Sequence, residues 1–112
     1  MADKFKVTCV VPEKLQQDMR KQIITDGYSM REKSRWVTEA ITQLLAMENF
    51  KDLVQYGDEM HHFQKMETFV IPSELKGQLD KAAIDIRRHY PLLEGVQSRV
   101  IRTSILQRLI RS

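Results

Sequence analysis

The chain lacks most of the residues that mark an enzyme, a secreted scaffold or a membrane protein. Its 112 residues include one cysteine, Cys9. That excludes an internal disulfide and a cysteine-based zinc site, and it fits the reducing cytoplasm. Three prolines and four glycines are too few for a turn-rich all-β fold. No apolar run approaches the roughly 20 residues of a membrane-spanning helix. The opening Met1-Ala2-Asp3-Lys4-Phe5-Lys6 carries no apolar stretch of the secretory type. The expectation is a cytoplasmic protein with no membrane partner.

Catalytic signatures are equally scarce. There is no glycine-rich phosphate loop, no nucleophile elbow and no supported pair of acids. Asp58, Glu59, His61 and His62 form the one imidazole–carboxylate cluster. Adjacent histidines do not share a helix face, and no further ligand follows at a metal-binding spacing. His89 follows Arg87-Arg88 and reads as a solvated side chain rather than a base. Cys9 falls on the apolar face of a predicted strand, the setting of a buried, inert thiol. The sequence therefore predicts no catalytic residue, no metal and no cofactor. Charge of one sign is also in short supply. Lys and Arg number 18 against 15 Asp and Glu, a net +3. That is too small for a purely electrostatic nucleic-acid binder. The excess is uneven: +2 over residues 1–45, −2 over 46–65 and +3 over 66–112.

What the chain does have is a weak internal repeat. Val10-Val11-Pro12-Glu13-Lys14-Leu15 resembles Val70-Ile71-Pro72-Ser73-Glu74-Leu75 at an offset of 60. Ser34-Arg35-Trp36-Val37-Thr38-Glu39-Ala40-Ile41 resembles Ser98-Arg99-Val100-Ile101-Arg102-Thr103-Ser104-Ile105 at an offset of 64. The second copy therefore holds about one more helical turn between its blocks. Each first block is a β-branched strand that runs into a proline. Alternation puts Val7, Cys9 and Val11 on one face and Lys6, Thr8 and Val10 on the other; in the second copy Phe69 and Ile71 oppose Met66, Thr68 and Val70. Glu67 breaks the pattern, because alternation turns it toward the apolar face; a place at the ribbon's end, within reach of water, would accommodate it. Proline then opens a helix. Leu15, Met19 and Ile23 form one stripe, and Leu75, Leu79, Ala83 and Ile86 another. Asp26-Gly27 stops the first helix and Tyr90-Pro91 the second.

Further helices are predicted to begin near Ser34 and Ser98. Val37, Ile41, Leu44 and Leu45 line the former, which is expected to run on through Phe50, Leu53 and Val54 to Gly57. Ile101, Ile105 and Leu109 line the latter. Arg102, Arg108 and Arg111 read as its solvated face. Residues 1–56 thus make one strand–helix–helix unit, 57–64 a linker and 65–112 a second unit. A lone strand has two unpaired edges, so the simplest closure pairs the strand around Thr8 antiparallel with the strand around Thr68. The fold class expected is mostly α with a two-stranded antiparallel β-ribbon, both units sharing one pseudo-twofold core.

Those residues resemble the ribbon-helix-helix (MetJ/Arc-type) family of DNA-binding proteins, which read DNA with a β-ribbon. The tandem, single-chain arrangement is similar to the TraY and VirC2 type, tied to DNA processing in conjugation and T-DNA transfer. The resemblance implies sequence-specific binding of double-stranded DNA, with the ribbon in the major groove. The base-contacting residues would be Lys6, Thr8, Val10, Met66, Thr68 and Val70. It also implies phosphate contacts at the start of the second helix of each unit, at Lys33, Ser34 and Arg35 and at Gln97, Ser98 and Arg99. On periodicity alone the strand residues are equally solvent-facing side chains, and Ser34 and Ser98 equally ordinary helix caps. Met66 stands where the first copy has Lys6, so the two halves would read different bases and the site would not be a clean palindrome. Tyr90–Gly95 is longer than the family's usual turn between helices, which bears on the second phosphate contact. The expected roles are a transcriptional regulator or an accessory to a DNA-transfer complex. The chain would be a monomer that closes its own ribbon; a second copy on adjacent DNA subsites, or a DNA-processing enzyme, are the partners to expect. The competing reading is a protein-interaction module of the antitoxin kind, which a surface built from Phe50, Tyr56 and Phe63 would serve.

Overall fold

A strand and a helix occupy the start of the chain, and the proline between them belongs to both. In the computed structural model, which describes residues 3–56 and 64–112, β1 spans Lys4–Pro12 and α1 follows at once over Glu13–Thr25. The fixed φ of Pro12 ends the strand in extended backbone (φ −60°, ψ 144°) and costs the helix no N–H that it needs. β2 (Gln64–Pro72) and α4 (Ser73–His89) repeat the device with Pro72. Between them lie α2 (Lys33–Leu45), entered through a 3-10 turn at Met30–Glu32, and the short α3 (Phe50–Gln55). α5 (Val96–Ile110) ends the fold. α4 is 17 residues long and α1 13, so the extra turn in the second copy is absorbed inside this helix. The expected linker, the histidine cluster within it, Gly57 and Phe63 lie outside the described residues, apart from Gln64.

α1 ends as its sequence indicates. Gly27 takes φ +88°, and the N–H groups of Gly27 and Tyr28 return to the carbonyls of Ile24 and Ile23. A left-handed residue is needed there, and glycine adopts it without a Cβ penalty.

β1 and β2 form one antiparallel two-stranded sheet. Thr8 faces Thr68 at its centre, with Val7 opposite Phe69 and Cys9 opposite Glu67. Val7, Cys9, Val11, Phe69 and Ile71 are buried beneath it, in one core with Met19, Ile23, Trp36, Val37, Ile41, Leu44, Leu75, Leu79, Ile86, Ile101 and Ile105. The ribbon's outer edges are tied to the helices. Ser34 Oγ accepts from Val70 N at 2.9 Å, and Arg102 Nη1 donates to Val10 O at 3.0 Å. Both bonds satisfy main-chain groups that a two-strand sheet leaves without a neighbouring strand.

Four expectations need correction. The long helix from Ser34 to Gly57 is two helices, broken at residues 46–49. At 100° per residue, a straight helix would carry Phe50, Leu53 and Val54 roughly 150° round from the stripe of Val37, Ile41 and Leu44. The break returns them to the core, where Val54 is fully buried. α2 begins at Lys33 and α5 at Val96, close to the expected starts, but α5 is capped by Gly95 at φ +58°. Ser34 and Ser98 therefore lie inside their helices and cap neither. The arginines of α5 are also not one solvated face. Arg102 is buried, while Arg108 lies over the Trp36 ring at 4.6 Å and donates to Trp36 O at 2.7 Å. α5 packs against α1, α2, α3, α4 and β1, so it buries residues all round and carries no clean polar face. Finally, Glu67 does not reach water at a ribbon end. It sits four residues into β2 with 2% of its side chain exposed.

Candidate nucleic-acid interface

The outward face of the ribbon carries the six strand residues singled out by alternation, and the register joins them as three opposed pairs. Lys6 stands across from Val70, Thr8 from Thr68 and Val10 from Met66. The two threonine hydroxyls lie 3.3 Å apart and hold the centre. Lys6, Thr8, Met66, Thr68 and Val70 are exposed and Val10 is half-buried. Met66 keeps 67% of its surface in water and Val70 37%, although both are apolar. From Lys6 to Val10 the face runs roughly 14 Å at the rise of an antiparallel strand. A two-stranded ribbon of this kind fits a B-DNA major groove, which is about 12 Å wide.

The ribbon is also bonded from below. Glu67 points into the core beside Cys9, and three side chains reach it: Gln16 Nε2 at 2.6 Å, Arg20 Nη2 at 2.8 Å and Lys33 Nζ at 2.6 Å. Burial works to raise the Glu67 pKa, but the hydrogen bonds from Lys33, Arg20 and Gln16 outweigh it and hold the carboxyl below its usual range. One carboxylate thereby ties β2 to α1 and to the start of α2. The sequence offered a signal for it: Gln16 and Arg20 are one helical turn apart, so both face one carboxylate at a core position. Nearby, Trp36 Nε1 donates to Asp26 at 2.8 Å; that bond, with a second from Gln22, lowers the Asp26 pKa.

The two predicted phosphate triads are placed differently. At α2, Lys33 is engaged with Glu67 and lies 5.3 Å from the Phe69 ring centre. Ser34 is bonded to the ribbon. Arg35 is 67% exposed, bonded to Glu32 at 3.2 Å and set over the Tyr28 ring. Glu32 also accepts from Ser29 N, the bond that does most to lower its pKa. At α5, Gln97 donates to Asp80 at 3.2 Å, and Ser98 O lies 3.5 Å from Cys9 Sγ. Arg99 turns inward and donates to Val54 O and Gln55 O, both at 3.0 Å, at the C-terminal end of α3. Sequence reasoning missed that Lys4 and Arg31 join Arg35, Ser34 and Val70 in lining one groove beside the ribbon. Their separation along the chain hides it.

Among the described residues, no helix is long and apolar enough to cross a membrane and no group of three potential metal ligands occurs. No protein-family model, curated protein or solved structure matches the chain.

Proposed function

We propose that this chain binds double-stranded DNA sequence-specifically by laying the β-ribbon in the major groove. It would work as a transcriptional regulator or as an accessory to a DNA-transfer complex. The arrangement is read as two ribbon-helix-helix units in tandem, related by a pseudo-twofold axis that passes between Thr8 and Thr68. Two facts favour that reading. Those threonines oppose each other in the register, and they match at the same 60-residue offset as the strand–proline blocks.

The observation that carries the functional reading is the composition of the ribbon's outer face. It combines a lysine, two threonines and three apolar residues on backbone anchored from beneath. Lysine donates to guanine O6 and N7, threonine bonds base edges or meets a thymine methyl, and valine and methionine meet the methyl only. Exposed apolar side chains on a strand face call for a partner surface. The groove-facing rows differ between the copies, Lys6-Thr8-Val10 against Met66-Thr68-Val70, so the preferred site is non-palindromic.

Selection from a random-sequence duplex pool tests this. Enrichment of a short, asymmetric sequence is expected. A pool that stays random, at a salt concentration where the protein binds duplex, would refute specific readout. Sedimentation in dilute solution should give a monomer, since the chain supplies both strands of its own ribbon.

A further inference from the structure

The two ends of the ribbon differ in charge far more than its symmetric register suggests. At the 60-residue offset Lys4 and Lys6 correspond to Gln64 and Met66, and at the 64-residue offset Arg31 and Lys33 correspond to Gly95 and Gln97. Four cations on one side thus have uncharged counterparts on the other. The fifth, Arg35, corresponds to Arg99, whose guanidinium is bonded to the α3 carbonyls. On the α2 side, Lys4, Arg31 and Arg35 are exposed and line one groove that continues onto the ribbon at Val70. Glu32 shares that groove, so three cations face one carboxylate, itself bonded to Arg35 and Ser29. On the α5 side, Lys65 lies 3.9 Å from Glu13, and Gln97 donates to Asp80, which also pairs with Lys76. Lys65 stands there where the α2 side has Phe5, and Lys14 where it has Glu74; both are exposed, but each pairs with a carboxylate, Glu13 and Asp18, and they are two against the three of the α2 groove.

We propose that the protein grips the DNA backbone at one end of its ribbon only. The Lys4–Arg31–Arg35 groove takes phosphates of the strand that runs past α2, and the α5 end contributes no cationic side chain. Arginine suits this role, because its planar fork bridges phosphate oxygens. The complex is then offset toward the α2 side, and the protein has one orientation on its site. The inference rests on duplex DNA as the ligand; it does not need the ribbon to read bases.

The test uses the full chain. Binding to a random-sequence duplex is followed across a salt series, with thermal melts as a control for folding. Each phosphate neutralised contributes a slope of about −0.9 in log K against log salt. The variant Lys4→Ala with Arg31→Ala and Arg35→Ala should lose about 2 to 3 from the slope magnitude, whereas Lys65→Ala, which removes an exposed cation at the α5 end, should leave it unchanged. Ethylation interference on a duplex recovered by selection should place the sensitive phosphates on one side of the footprint. An unchanged slope in the triple variant, or equal interference on both sides, overturns the one-ended grip. Wild-type protein that shows no salt-dependent duplex binding overturns it together with the proposed function. A slope that falls as expected while selection enriches no sequence leaves the grip standing and refutes only sequence-specific readout.

Discussion

The two strands meet in one ribbon, but the helices beneath it do different work. α2 lies toward the outside: Trp36, Val37, Ala40, Ile41 and Leu44 are buried along one side, while Thr42 and Gln43 remain in water. α5, its sequence match, runs through the middle and buries Arg102, Thr103 and Ser104 along with its apolar residues. Arg35 is exposed, whereas Arg99 is half-buried and bonded to the end of α3. Val7 is an ordinary core residue, whereas Glu67, at the matching position, is a buried carboxylate with three donors. Similar strand–proline blocks thus lie opposite each other in the ribbon. The neighbours each helix meets, and the polar side chains peculiar to it, decide what it supports.

That contrast can be tested residue by residue. The largest effect belongs to Trp36, which is fully buried and bonded to Asp26. Trp36→Ala should cost about 3–5 kcal/mol, and Val100→Ala, at the matching place on α5, should cost less because fewer atoms leave the core. Denaturant unfolding checks both.

Next comes Glu67. Glu67→Ala leaves Lys33 and Arg20 without their anion and should cost about 2–3 kcal/mol, below the value for a fully buried pair because both cations are partly exposed. Its counterpart Val7 has no such partners, so Val7→Ala should show no pH dependence in its cost. For Glu67 the native pKa is depressed. Its stabilisation is therefore full above the unfolded-state pKa and is lost as pH falls through the lower native value. The stability gap between wild type and Glu67→Gln should accordingly narrow below about pH 4.3, the ordinary glutamate pKa. A gap that stays constant down to acid would mean that the carboxylate is not ionised in the core.

The smaller effects separate the matched arginines. Arg99→Ala removes two charged hydrogen bonds from the end of α3 and should cost about 1.5–3 kcal/mol. Arg35→Ala removes an exposed ion pair and should change stability by less than about 1 kcal/mol. Equal costs in thermal or denaturant melts would erase the distinction between the inner and outer helix starts.

Much of the fold could be read from local pattern. The strand residues alternate, each proline divides strand from helix, and Gly27 supplies the left-handed turn. These are short-range facts, and the buried residues of β1, β2, α1 and α4 follow them. The break before α3 was also present, as a jump in the phase of the apolar stripe between Leu44 and Phe50, but continuity of helix-forming residues masked it. Arg102, Arg108 and Glu67 were not legible in the same way. Their partners lie 92, 72 and 34 or more residues away, and a charged side chain on a helix or strand gives no local sign that it will be enclosed. The outward positions of the six ribbon residues were legible from period two. The groove beside α2 was not, since Lys4 and Arg31 meet only once the ribbon has closed.

If the ribbon's outer face reads DNA, Lys6 and Thr8 carry a large part of that reading. The direct test is Lys6→Ala combined with Thr8→Ala, measured by affinity for a selected duplex at fixed salt. Both side chains are exposed, so the melting temperature should hold while specific binding falls to the level seen with random duplex. Unchanged affinity in a folded double variant would mean that the ribbon's outer face does not read the DNA.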